Sequence, residues 1–260
     1  MVKKNFLEEM NLVEAEEAFK KTTVAILPIG CLHTHGPAPI GIDNISINEI
    51  LKKLSGKTNA ILCPTIPYGP CGGNMSFPGT IHIDSEVFKS MLLDICRSLH
   101  KWGIKKVFFL NGHGGNIDSV KQVGFKIRKE LGMIGIIANW WREIRELNPN
   151  YDRDATFIEP CVSLAVDLNL LDPLKDRIRT LKEETFLTEK FTPTGPNAAK
   201  FGNAIITFIG LVESDLTMKI GTKVLGSEVT ADTGMKILDI ITDYYIMLIK
   251  ELEKMNIPPI

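Results

Sequence analysis

The sequence predicts a three-layer α/β/α sandwich around a mostly parallel sheet. Two patterns lead to this prediction: short apolar, β-branched runs alternate with longer helical stretches, and glycine-rich segments with histidines follow two of those runs. Strands that alternate with helices favour parallel pairing, because each helix returns the chain to the same end of the sheet. The 260 residues suffice for a substantial core. We expect one domain over residues 1–260, with 172–226 as an elaboration packed on it.

The elements are predicted in the following order. Four apolar runs are expected to be buried strands: Thr23–Ile29, Ala60–Pro64, Lys106–Leu110 and Met133–Ala138. Helices are expected at Phe6–Lys21, Asn44–Leu54, Asp84–Lys101, Ile117–Leu131, Ala155–Leu171 (interrupted near Pro160) and Thr230–Lys254. The last helix should bury a stripe made of Met235, Leu238, Ile241, Tyr245 and Leu248. A Gly- and Pro-rich loop over 67–80 is longer than an ordinary connection, which favours a functional role.

Composition and charge argue against several classes of function. Hydrophobic residues make up 44% and charged residues 23%, and the formal net charge of −1 gives no basis for binding nucleic acid or an anionic membrane. No apolar run approaches the ~20 residues that span a bilayer, and the acidic segment Met1–Lys20 does not resemble a signal peptide. Five cysteines without paired spacing indicate a reducing compartment. We therefore expect a cytoplasmic protein.

Three of the five histidines lie in the two glycine-rich segments. His33 and His35 are two residues apart, so an extended backbone points both side chains to the same side. A turn rich in Gly and Pro allows Asp43 to fold back toward them, and His113 follows another predicted strand. Three imidazoles and one carboxylate suit Zn, Mn or Fe and do not suit Ca or Mg. We predict one or two divalent ions, zinc first, and expect His82 and His100 to be hydrogen-bonded core residues.

Several short motifs, taken in order, resemble the creatininase (creatinine amidohydrolase) family. They are Leu27-Pro28-Ile29-Gly30, His35-Gly36-Pro37, Gly41-Ile42-Asp43, Pro67-Tyr68-Gly69, Phe77-Pro78-Gly79-Thr80 and Asn111-Gly112-His113-Gly114-Gly115-Asn116, and residues 226–231 are similar to the closing segment of that family. The resemblance implies a three-layer α/β/α fold that often assembles as a hexamer. It also implies a divalent-metal hydrolase acting on C–N bonds of small amides or cyclic amides.

The hypothesis assigns a role to each candidate residue. His33, His35, Asp43 and His113 would hold the metal, with Asp43 as a bridge. Glu159 is a further ligand or a proton carrier, and Asp154 is a second candidate for proton transfer. Tyr68, Cys71, Trp141 and the Gly114–Gly115 turn are predicted to face the substrate, with the backbone N–H groups of that turn stabilising an oxyanion.

Some of these residues also have a purely structural interpretation. In the structural interpretation, Glu159 and Asp154 are carboxylates at the start of a helix that accept hydrogen bonds from nearby backbone N–H groups. Trp141 is then an aromatic side chain that packs against its neighbours without contacting a substrate. Cys71, like Cys31 beside the ligands, is either a small buried side chain or a thiol that binds metal or acts as a nucleophile.

The chain departs from the family pattern at several of these positions. The usual Glu-x-His-Gly is His33-Thr34-His35-Gly36 here, and Gly115 replaces a further glutamate ligand. Cys71, Gly73 and Asn74 stand where Ser, Glu and His are common, and Asp154 stands where a His is usual.

Three hypotheses about function remain open after the sequence analysis. The one we favour is a metal-dependent amidohydrolase with a small-molecule substrate. The others are a metal-dependent lyase or isomerase, and a non-catalytic metal- or ligand-binding relative.

Overall fold

The computed structural model describes residues 5–75, 77–151, 155–170, 188–195, 198–208 and 228–258. Four parallel strands form a central sheet in the order β2-β1-β3-β4. They are β1 (Val24–Ile29), β2 (Ile61–Leu62), β3 (Lys106–Asn111) and β4 (Ile134–Asn139). β1 and β3 are neighbours, paired in register from Val24 and Lys106 to Ile29 and Asn111. Their carboxyl ends therefore lie side by side at one edge of the sheet.

Seven α-helices lie within the described ranges. They are α1 (Leu12–Phe19), α2 (Ile42–Leu54), α3 (Ser85–Lys101), α4 (Ile117–Leu131), α5 (Trp140–Leu147), α6 (Ala155–Val166) and α7 (Ala231–Lys254). Several begin where the sequence predicts: the Asp84 side chain caps α3 by accepting hydrogen bonds from the N–H groups of Glu86 and Val87.

The sheet is covered by helices on both faces. In β1, Val24 and Ile26 pack into the core formed with α2, α6 and α7, whereas Ala25 and Leu27 pack into the core formed with α3 and α4. This division follows from the alternation of side chains along a strand. Because β1 and β3 are buried on both faces, β1 is apolar throughout and β3 is apolar between Lys106 and Asn111. The predicted three-layer α/β/α fold is confirmed.

Two predictions near the ends of the chain were wrong in part. The predicted helix Phe6–Lys21 is a 3-10 turn (Leu7–Glu9) followed by α1, because Asn11 forms a capping box with Glu14 and starts a new helix. In α7, Met235 is 41% exposed rather than buried. The buried stripe runs instead through Leu238, Ile241 and Tyr245 to Ile249 and Leu252, with Leu248 half-buried.

The middle of the chain differs from prediction in three details. β2 is shorter than Ala60–Pro64. Helix α5 was not predicted; it starts directly after β4, without a turn residue to announce it. Helix α6 continues through Pro160 and ends at Val166.

Part of the predicted elaboration forms a three-stranded antiparallel sheet. Its strands are β5 (Phe191–Gly195), β6 (Ala198–Phe201) and β7 (Ala204–Thr207). Most of 172–226 lies outside the described residues, so a single domain over 1–260 stays a prediction. None of the helices described above is both long and apolar enough to cross a bilayer.

Candidate metal centre

The predicted ligands meet at the carboxyl ends of β1 and β3. The chain passes from β1 to β2 on one side and then returns to β3 on the other, so the strand order reverses between β1 and β3. Ligands bind at such switch points in open α/β sheets because the loops diverge there and leave a crevice. His33 and His35 follow β1, and His113 follows β3. Asp43 lies in the first turn of α2, where the helix dipole favours a carboxylate.

The ring of His33 is held by contacts to Nδ1, the nitrogen that faces away from Asp43. Its Nδ1 lies 2.9 Å from the carbonyl oxygen of Thr34 and 2.9 Å from the side-chain amide of Asn74. The carbonyl oxygen of Thr34 accepts from Nδ1 when the ring proton is on Nδ1, whereas the amide nitrogen of Asn74 donates to Nδ1 when the proton is on Nε2, so the two contacts hold the ring in place in either tautomer. Nε2 faces inward, 3.2 Å from Asp43 Oδ2 and 2.9 Å from His113 Nδ1. Burial lowers the pKa of His33 below its usual value, which keeps the ring neutral.

His113 is held in the same way on the opposite side. Its Nε2 lies 3.1 Å from the carbonyl oxygen of Pro70, which fixes the proton on Nε2. The unprotonated Nδ1 is directed at Asp43 Oδ2, at 3.1 Å. The backbone of His113 is anchored by the Asn111 side chain, whose oxygen accepts from the His113 N–H and whose amide donates to the His113 carbonyl.

His35 completes the group with a carboxylate behind it. Its Nδ1 lies 2.9 Å from Glu159 Oε2, and its Nε2 lies 3.3 Å from Asp43 Oδ1. Burial alone would lower the pKa of His35, but the carboxylates of Glu159 and Asp43 outweigh it and raise the pKa to about 10. Burial raises the pKa of Glu159. A carboxylate on the outer nitrogen of a histidine is the usual way to orient a metal-binding imidazole.

Three inward nitrogens therefore surround one buried carboxylate. Burial would raise the pKa of Asp43, but the imidazoles of His35, His113 and His33 lower it well below its usual value. Asp43 Oδ2 and His35 Nε2 are buried without a hydrogen bond of acceptable geometry to any described residue. When the ring proton of His33 is on Nδ1, the lone pairs of His33 Nε2 and His113 Nδ1 face each other and a carboxylate oxygen, an arrangement that favours a cation between them.

The separations fit a metal ion. Ligands of a tetrahedral ion, each at about 2.0–2.1 Å, lie roughly 3.3 Å from one another. The donor atoms of His33, His113 and Asp43 are separated by 2.9, 3.1 and 3.2 Å. Within the described part of the chain, two further trios bring one donor atom each within 4.8 Å of one another: His33, His35 and Asp43, and Cys31, Asp43 and His113. Asp43 belongs to both trios, as the predicted bridge would.

Two glycines allow the loops to approach this closely. A Cβ atom on Gly112 would lie 2.3 Å from the carbonyl oxygen of Asp43, and one on Gly115 would lie 2.3 Å from that of Pro70 and 2.5 Å from His113 Nε2. A glutamate cannot stand at Gly115 in this structure without displacing His113. By contrast, a Cβ atom on Gly114 meets no heavy atom within 4 Å.

Two cysteines lie beside the ligands. Cys31 is fully buried, with its Sγ 3.8 Å from the carbonyl oxygen of Gly69. Its contact with the Cys71 thiol and its burial raise the pKa of Cys31. Cys71 Sγ donates toward the carbonyl oxygen of Ile81 at 3.4 Å, and its backbone N–H donates to His82 Nδ1 at 3.0 Å. Cys71 thus contacts both Cys31 and the Ile81–His82 segment.

The remaining predicted residues have mixed placements. Tyr68 is 39% exposed in the long loop, and Trp141 is half-buried against Trp140. Gly114 and Gly115 are exposed in a 3-10 turn before α4. Asp154 lies outside the described residues. The substrate contacts and proton-transfer roles of these residues stay predictions, as does direct ligation by Glu159, which the structure places on the outer nitrogen of His35.

Sequence reasoning missed Asn74 as a partner of His33 and misjudged one histidine. Asn74 is 5% exposed in a 3-10 turn of the 67–80 loop. The unusual length of that loop was the available signal, but it does not identify which side chain turns inward. His82 is hydrogen-bonded as predicted but half-buried rather than in the core, whereas His100 is exposed in the last turn of α3 and lies outside the core altogether.

The comparison with protein families gives one decisive match. A family model described as "Creatininase: Creatinine amidohydrolase" matches residues 8–249. The chain belongs to the creatininase family. This agrees with the resemblance drawn from the ordered short motifs.

Two curated relatives have different activities in their names. The chain is 30% identical over 115 residues to a mycofactocin precursor peptide peptidase of Mycobacterium ulcerans, covering 40% of this chain and 46% of the relative. It is 29% identical over 145 residues to 3-dehydro-scyllo-inosose hydrolase of Thermotoga maritima, covering 54% and 46%. The matches span about half the length of these relatives.

Solved creatininases share the fold. A structure described as creatininase Mn has a TM-score of 0.69 at 18% identity, covering 99% of this chain and 100% of that chain. A creatininase variant described as Zn-Zn type gives 0.69 at 20% identity with the same coverage. At such identities the likeness supports the α/β/α fold and not the substrate.

Proposed function

We propose that this protein is a metal-dependent hydrolase that cleaves a C–N bond of a small amide or cyclic amide. The observation that carries the proposal is the convergence of three inward imidazole nitrogens on Asp43. In each histidine the outer nitrogen lies 2.9–3.1 Å from an oxygen atom that can accept its proton. Outer acceptors of this kind are typical of metal-binding histidines and leave the inner nitrogens for the ion.

The donor set fits a first-row divalent ion. His33, His35, His113 and Asp43 would hold it, and imidazole with one carboxylate suits zinc, manganese or iron. The family relatives solved with Mn and as a Zn-Zn type are consistent with this choice. When bound, such an ion supplies an activated water and polarises a carbonyl oxygen. Zinc remains our first candidate.

The side chains around the ion have separate tasks in this proposal. Asp43 supplies negative charge and can bridge two ions. Glu159 orients His35, and its raised pKa suits a group that takes and returns a proton during cleavage. Such general acid–base help is typically worth ~10²–10⁴-fold in rate. The N–H groups of the exposed Gly114–Gly115 turn are candidates for stabilising the tetrahedral oxyanion.

The substrate is proposed by class alone. The names of the curated relatives include a peptidase and an inosose hydrolase, which support hydrolysis more strongly than any one substrate. Small amides and cyclic amides remain the class we favour, because family membership points to that chemistry. The homo-oligomer and the cytoplasmic location also remain proposals.

The test measures hydrolysis across a panel of linear amides, cyclic amides and dipeptides. The full chain is stripped with a chelator, reloaded with zinc or manganese, and assayed in ¹⁸O-labelled water. We expect turnover only after reloading, with one labelled oxygen in the carboxylate product. Full activity after complete metal removal would overturn the proposal. Product formed without label would favour a lyase or isomerase, and tight metal binding with no turnover across the panel would favour a non-catalytic role.

A further inference from the structure

A cysteine lies among the donor atoms of the candidate metal centre. Cys31, Asp43 and His113 each place one potential ligand atom within 4.8 Å of the other two, and all three residues are buried. A tetrahedral zinc ion with Zn–S of about 2.3 Å and Zn–N of about 2.0–2.1 Å holds its sulfur and nitrogen ligands roughly 3.6 Å apart, which lies inside this limit. The geometry points to Cys31 as a thiolate ligand of the ion that Asp43 and His113 hold.

The backbone fixes Cys31 in this position. It follows β1 with one residue between, in the same loop as His33 and His35, and its side chain is 0% exposed. Its Sγ lies 3.8 Å from the carbonyl oxygen of Gly69, on the loop that also presents Pro70 to His113. The sulfur therefore lies between the two loops that hold the centre.

Charge balance favours a thiolate here. The inward donors are three imidazoles, neutral when they bind a metal, and the single carboxylate of Asp43. They supply one negative charge to an ion that carries two positive charges. On binding, the Cys31 S–H bond breaks, a metal–sulfur bond forms, and the proton leaves to solvent, as in other thiolate sites. The thiolate supplies the second negative charge.

Sulfur ligation also carries a consequence for metal choice. Thiolate is a soft ligand that favours zinc, whereas oxygen-rich sites suit manganese. The inference rests on the proposed metal-dependent function and makes it more specific. Zinc should bind more tightly than manganese, and Cys31→Ser should lose more affinity for zinc than for manganese.

The direct test uses cobalt as a spectroscopic probe. The metal-free full chain is titrated with Co²⁺, whose visible d–d bands report binding and whose intense near-ultraviolet band reports thiolate ligation. We expect both signals in the wild type and in Cys71→Ser, the matched control for a neighbouring thiol. We expect Cys31→Ser to keep the visible bands and lose the near-ultraviolet band.

The outcomes separate this inference from the proposed function. Visible bands without a near-ultraviolet band in the wild type would overturn thiolate ligation while leaving the metal centre intact. So would a near-ultraviolet band that persists in Cys31→Ser. The absence of any cobalt signal would overturn both. X-ray absorption of the zinc-loaded wild type gives a check that needs no variant, because thiolate ligation requires a sulfur neighbour at about 2.3 Å.

Discussion

Two groups of buried ionisable side chains in this protein differ in how their polar atoms are satisfied. Between α5 and α7, Glu143 accepts a hydrogen bond from the Asn139 N–H at 2.8 Å and another from the Tyr245 hydroxyl. At the candidate metal centre, Asp43 Oδ2 and His35 Nε2 are buried without such bonds. A satisfied group stabilises the fold, whereas imidazole nitrogens that converge on one buried carboxylate are the arrangement expected of a cation site. The difference separates a structural cluster from a functional one.

The largest effect is expected from Asp43→Asn. The substitution removes the only carboxylate shared by both trios, so metal affinity and turnover should each fall by more than the ~100-fold that an outer partner is worth. Metal content and kcat/KM are the measurements. Asp94→Asn, at an exposed carboxylate paired with Arg97, should change neither. Normal metal content in Asp43→Asn would contradict the assignment.

Two variants, Glu159→Gln and Tyr245→Phe, compare the candidate metal centre with the cluster around Glu143. Loss of the carboxylate behind His35 should lower metal affinity or activity by about 10–100-fold, measured by competition with a chromophoric chelator. Tyr245→Phe should leave metal affinity unchanged and cost about 1–3 kcal/mol of stability, because Glu143 loses a partner. A loss of metal affinity in Tyr245→Phe, or none in Glu159→Gln, would remove the distinction between the groups.

A smaller effect is expected from a methyl group at Gly115. Gly115→Ala places Cβ against Pro70 and His113, so His113 must shift and metal affinity should fall by about tenfold. Gly114→Ala is the matched control, since its Cβ has open space. Equal metal affinities in the two variants, measured by calorimetry, would show that His113 is not needed as a ligand.

The last expected effect is on the pH dependence of stability. In the metal-free protein His35 has a pKa of about 10 in place of 6.5. The folded state therefore holds a proton that the unfolded chain has lost, and stability should fall as pH rises across this range, by at most about 1.4 kcal/mol per pH unit. In the zinc-loaded protein the ligands are deprotonated, so binding and stability should rise with pH.

Urea unfolding of the metal-free and zinc-loaded protein between about pH 7 and pH 9 checks these opposite pH dependences of stability. In the metal-free protein, His35→Gln should make the free energy of unfolding less dependent on pH. Parallel slopes for the metal-free and metal-loaded protein would contradict the proposed ligation by His35.

The sequence predicted the sheet, most helices and the convergence of His33, His35, Asp43 and His113, for physical reasons that can be named. Buried parallel strands are apolar throughout, and the glycine-rich turns mark where loops must leave those strands. The His33–Asn74 contact and the position of Glu159 behind His35 depend on loop paths and on helix packing, which carry no periodic signal. Helix α5 was missed for a related reason: it begins directly after the last residue of β4, Asn139, whose side chain makes no capping hydrogen bond.

Elemental analysis of the full chain, purified without added metal and then titrated with zinc, tests the central claim most directly. The account predicts at least one equivalent of a first-row divalent ion per chain, lost on Asp43→Asn and retained on Tyr245→Phe. A folded wild-type protein that contains no such ion and binds none during titration would contradict it.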